Sequence, residues 1–142
     1  MRDLASNITE AILLASATYA ADSTPVAVDL QGYDAAVVLI EVGVGGITFS
    51  GTNKVEFVLT HSDDNSTYTN VADADIQGVS GTSNGIVYSL TAAHAAATVT
   101  EIGYVGGKRY LKLLADFSGT HGTGTPMSAL AVLGRANLRP VA

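Results

Sequence analysis

The feature that most constrains this chain is a recurrent period of two. In residues 54–61, Val55, Phe57 and Leu59 fall on one face of an extended backbone, while Glu56 and Thr60 fall on the other. In residues 99–105, Val99, Glu101, Gly103 and Val105 oppose Thr100, Ile102 and Tyr104. A helix would scatter either set around its circumference, so these segments read as strands.

Extending the reading gives candidate strands at 12–17, 26–30, 35–44, 54–61, 86–90, 99–105, 108–117 and 126–135. Turn residues punctuate them at Gln31-Gly32, Gly45-Gly46, 63–66, 83–85, Gly106-Gly107 and 119–124. The run 35–42 (AAVVLIEV) is apolar on both faces, as expected of a central strand covered on both sides. Gly106-Gly107, between two alternating segments, predicts a two-residue hairpin. Pro126 stands at a strand start, where its missing donor is tolerated. The alanine-rich 92–97 has helical propensity but is too short for a stable helix. The expected fold is all-β: an antiparallel β-sandwich, jelly-roll or Ig-like, of about seven or eight strands. One sandwich domain is expected over 11–142, preceded by an extended N-terminal arm over 1–10.

Composition narrows the function classes. A chain of 142 residues without cysteine has no disulfide framework, thiolate metal site or cysteine nucleophile. Charged residues make up 14%, against about 25% in a typical domain. So sparse a surface charge suggests that part of the surface is covered by something else. The net charge of −6 is unevenly spread. Residues 1–107 carry Arg2 and Lys54 against twelve acids, a balance of −10, whereas 108–142 carry five cations against Asp116, a balance of +4. An acidic total argues against generic nucleic-acid binding. No apolar run reaches the roughly 18 residues of a membrane span. Residues 11–21 resemble a signal core but follow Asp3 and Glu10 rather than a basic region, so they are not read as a signal peptide.

No motif carries catalysis or a cofactor. His61, His94 and His121 lack metal-ligand spacing. Asp63, Asp64, Asn65, Asp73 and Asp75 offer hard oxygen ligands without the spacing of a calcium loop, and turn capping accounts for the same residues. Asp116, Ser118 and His121 lie close in sequence but without a nucleophile elbow. The glycine-rich 119–124 lacks the Gly-Lys-Ser/Thr of a phosphate loop and reads as a mobile tip. The expectation is therefore no enzyme, no metal and no cofactor.

Partner contacts are expected instead. Lys108, Tyr110 and Lys112 alternate on one strand face, suited to an acidic partner surface, while Arg109, Leu111 and Leu113 take the other face. Arg135 and Arg139 form a basic tail, and Arg2, Leu4 and Ile8 lie in the expected arm. These eight residues, with Arg109, Leu111 and Leu113 left aside, are the candidate contacts.

Three stretches resemble small proteins encoded among the structural genes of tailed bacteriophages: 28–43 (VDLQGYDAAVVLIEVG), 55–78 (VEFVLTHSDDNSTYTNVADADIQG) and 102–119 (IGYVGGKRYLKLLADFSG). The resemblance runs from about residue 26 to 140 and includes the closing LGRANLRP. It implies a virion component, a capsid decoration or cement protein, with the major capsid protein and further copies of itself as partners. It transfers no catalytic motif. It places the protein on the virion surface after synthesis in the host cytoplasm, without nucleic-acid or membrane contact. Head–tail or tail components are the neighbouring reading. A glycan-binding module using Tyr33, Tyr68, Tyr88, Tyr104 or Tyr110 is the reading from another class.

Overall fold

A computed structural model describes residues 3–45 and 48–137. Ten strands run β1 (Ile8–Tyr19), β2 (Val28–Asp29), β3 (Tyr33–Val42), β4 (Lys54–Ser62), β5 (Thr69–Asn70), β6 (Ile76–Gln77), β7 (Ile86–Leu90), β8 (Thr98–Tyr104), β9 (Tyr110–Ser118) and β10 (Thr125–Ala136). All eight expected strands are present among these. The two additional ones, β5 and β6, are two residues long, too short to leave a period in the sequence. Among the described residues no helix is long and apolar enough to cross a membrane.

Every pairing is antiparallel. The first sheet has the order β1-β10-β3-β8-β6, and the second β2-β9-β4-β5, with β7 also on β4. Their inward residues merge into one core. The first sheet supplies Leu13, Val38, Ile40, Ile102 and Ala131, and the second Val55, Phe57, Leu59, Leu111 and Leu113, all fully buried. Truncating Phe57 to alanine there would cost about 3–5 kcal/mol.

Two expectations are corrected. Residues 3–10 are not an extended arm: Ala5–Asn7 form a 3₁₀ turn, and β1 begins at Ile8, paired with Gly134. The paired run that the sequence missed, Ile8–Ala11, sets Ile8 with Glu10 on one side and Thr9 with Ala11 on the other, so no apolar period marks it. Irregularities between Ile12 and Leu14 and between Leu14 and Ala17 let the consecutive Leu13 and Leu14 both face the core.

Nor is Gly106-Gly107 a hairpin. Near the turn, Tyr104 of β8 already pairs with Ala36 on one side and Ile76 on the other. Both edges of β8 are therefore taken, and β9 joins the second sheet between β2 and β4. Here the two glycines carry the chain from one sheet to the other. Gly106 passes so close over Tyr104 that a Cβ would lie 2.7 Å from the ring.

Candidate functional site

Of the eight residues expected to contact a partner, Lys108, Tyr110 and Lys112 are engaged within the chain. Lys108 Nζ pairs with Asp63 at 2.7 Å, and Lys112 Nζ sits 4.0 Å above the Tyr68 ring. Tyr110 lies under the Arg109 guanidinium at 4.9 Å, and that guanidinium grips both oxygens of Asp29 at 2.6 and 2.8 Å. The lysine–tyrosine strip is thus already matched by the chain's own carboxylates and aromatics. Asp29 titrates below the usual carboxylate range because of its bond to Arg109. Leu4 is exposed, Ile8 is half-buried in β1, and Arg135 is exposed at φ 55° near the end of β10. Arg2 and Arg139 lie outside the described residues.

The tyrosines do not gather into one glycan platform. Tyr104 is buried, Tyr88 stacks on Phe57, and the Tyr33 hydroxyl bonds Thr9. Tyr68 and Tyr110 are occupied by cations as described.

The acidic residues serve turns. Asp64 accepts the amides of Ser66 and Thr67 and the Ser62 hydroxyl, which hold its pKa down at about 2. Asp73 accepts the amides of Gly81 and Thr82, and Asp75 that of Ala72. No three potential metal ligands converge among the described residues. His121 Nε2 donates to the Ser118 backbone carbonyl at 2.7 Å, which is not a base-to-nucleophile contact. His94 Nε2 donates to the Gly43 carbonyl, and the His94 and His121 rings both lie against Phe49. An open groove of about 500 Å³ runs between Leu30–Ala36 and the Tyr104–Arg109 crossover.

The two outer sheet faces differ sharply. On the second sheet, the outward positions include Lys54 and Glu56, paired at 2.7 Å, with Thr60, Lys112 and Asp116, and these polar residues flank a single half-exposed apolar row in which Val58 is registered with Leu114 and Ile86. Polar residues thus predominate there, as expected where an antiparallel sheet meets water. On the first sheet, the register aligns Ile12, Leu130 and Leu39 in one outward row and Val132, Val37 and Gly103 in the next. Ile12 is 56% exposed and Leu130 37%, and Val37, Leu39 and Val132 are half-exposed. Glu10 borders this centre on β1, Glu101 on β8 and Glu41 at one end of β3. None of the three forms an ion pair among the described residues. The registered pairs bring no lysine or arginine onto this face.

Strand β3 explains why the sequence looked buried on both sides. Ala36, Val38, Ile40 and Val42 face the core, but the other face of the strand, Ala35, Val37 and Leu39, has no second layer over it within the described chain. Sequence reasoning found the apolar face and missed that its cover is absent, since hydropathy does not tell intramolecular from intermolecular burial.

No family model matches the chain, and no curated protein does. Among solved structures it is similar to the crystal structure of SPBc2 prophage-derived protein YomS, with a TM-score of 0.47 and 14% identity, covering 89% of this chain and 92% of that one.

Proposed function

We propose that this chain is a non-enzymatic bacteriophage structural protein, a β-sandwich that decorates the outside of the major capsid shell and stabilises it as a homo-oligomer. The observation that carries the reading is the apolar, uncovered outer face of the first sheet, backed by a core that needs no staple. The resemblance of 28–43, 55–78 and 102–119 to phage structural proteins supports the same reading and supplies the kind of assembly. Weak contacts repeated over a symmetric shell gain strongly from avidity, so a modest surface suffices.

The test is the copy number per purified virion, by quantitative mass spectrometry against the major capsid protein. A ratio near one, or a simple fraction such as about one-third, is the expected result for closed symmetric assemblies on a shell. A ratio of a few per cent would move the protein to a connector, tail or fibre. Absence from the particle would overturn the structural reading.

A further inference from the structure

We propose that the outer face of the first sheet docks on a protein surface of complementary make-up: apolar at its centre, with lysine or arginine at its margin. The proposal rests on the decoration reading and names the surface through which decoration would occur. It is preferred to the Lys108, Tyr110 and Lys112 strip that the sequence favours, because those three side chains are matched within the chain.

Three observations lead to it. The face carries two adjacent apolar rows and its most exposed members are Ile12 and Leu130, whereas the second sheet's outer face has one apolar row, Val58 with Leu114 and Ile86, flanked by the Lys54–Glu56 pair, Thr60, Lys112 and Asp116. Its border is acidic on three sides through Glu10, Glu41 and Glu101, with no cation among its registered pairs. A partner that covers Ile12, Val37, Leu39, Leu130 and Val132 must bring these carboxylates near its own margin, and cations there turn a desolvation cost into attraction. A second copy using the same face would instead set glutamates against glutamates, which favours a different protein as occupant.

The size of the face also fits. Four strands about 4.8 Å apart, over six residues of about 3.4 Å rise, make a patch of roughly 400 Å². A stable pairwise complex buries about 800 Å² on each partner. The face is therefore sized for a contact that is weak singly and effective when repeated over a lattice.

The experiment adds purified protein to shells stripped of it and measures bound copies per shell, at low and high salt. Four proteins are compared: wild type, Ile12→Asp with Leu130→Asp, Glu10→Lys with Glu101→Lys, and Lys112→Glu with Arg135→Glu. The substituted positions on the face are exposed, and circular dichroism checks that each variant is folded. The proposal expects occupancy to fall about tenfold or more for both face variants and to change little for the last. Wild-type occupancy should also weaken as salt rises.

Face variants that bind like wild type, with loss only in Lys112→Glu and Arg135→Glu, would overturn this surface and leave decoration standing. Wild type that fails to bind shells would overturn both. Sedimentation of the free proteins closes the remaining route: a wild-type dimer that Ile12→Asp with Leu130→Asp dissolves would mean that a second copy covers the face, overturning the proposal. A sedimentation profile shared by both would support it.

Discussion

His61 of the second sheet and Tyr104 of the first meet in the interior, with the imidazole Nδ1 3.0 Å from the phenolic oxygen. The Lys108 amide donates to the same oxygen at 3.1 Å, and the hydroxyl has a second acceptor in the Lys108 carbonyl at 3.4 Å. One hydroxyl thereby ties the two sheets together and fixes the crossover that carries the chain between them.

Removing that hydroxyl should cost stability out of proportion to its size. Tyr104→Phe keeps the ring but leaves the His61 Nδ1 and the Lys108 amide without a partner, and His61 is only 6% exposed. A loss of about 1–3 kcal/mol is expected. Chemical denaturation with unchanged slope measures it, and wild-type stability would show that the bond contributes nothing.

The crossover gives a paired control in adjacent residues. A Cβ at Gly106 would lie 2.7 Å from the Tyr104 ring, whereas at Gly107 it would meet nothing within 4 Å. Gly106→Ala should therefore lower the melting temperature, and Gly107→Ala should leave it nearly unchanged. Equal effects would mean that the ring has room to shift.

Stability should also respond to pH through the same pair. Burial depresses the His61 pKa below 6.5; nearby Lys108 acts in the same direction, while Asp75 and Asp63 oppose it. The unfolded chain then binds a proton before the folded one does. The contribution of neutral His61 is complete above pH 6.5 and is lost as pH falls through that value toward the lower folded one. Denaturation midpoints between pH 7.5 and 5, values chosen to span roughly this range, should fall less steeply for His61→Gln than for wild type.

The alkaline side carries the opposite sign. Burial raises the Tyr104 pKa above 10.0, so the unfolded chain loses its phenolic proton first and stability drains as pH rises through that value. Tyr104→Phe, though less stable throughout, should show a flatter alkaline limb. An unchanged slope would assign that limb to the exposed tyrosines.

Arg135 tests backbone strain rather than contacts. Its φ of 55° lies in the left-handed region, disfavoured for a side chain and most of all for a β-branched one. Arg135→Val should cost about 1–2 kcal/mol, and Arg135→Gly should cost nothing or stabilise slightly. If both behave alike, the backbone there relaxes on substitution.

The alternating runs 54–61 and 99–105 were legible as strands because a period of two is a local property. Each placed the correct residues inward: Val55, Phe57 and Leu59 in one, and Ile102 and Tyr104 in the other. The turns at Asp64 and Asp75 were legible for the same reason, since each bonds an amide three residues away, whereas Asp73 reaches the amides of Gly81 and Thr82, eight and nine residues on. Partner choice among strands was not. The Gly106-Gly107 signal specifies a tight reversal, but whether β8 and β9 pair depends on whether an edge of β8 is free, and Ala36 and Ile76 had taken both.

The candidate surface divides along the same line. Sequence alone determined that 35–42 is apolar on both faces and that Lys108, Tyr110 and Lys112 alternate, because side-chain direction along a strand follows from backbone geometry. Only the tertiary structure decided which of these features remains free. Folding brings Asp63 to Lys108, Asp29 to Arg109 and Tyr68 to Lys112, from 45, 80 and 44 residues away, and so closes the basic strip. The same folding leaves the outer row of Ile12, Leu130 and Leu39 without a second layer among the described residues, because the one other sheet they form covers the opposite face.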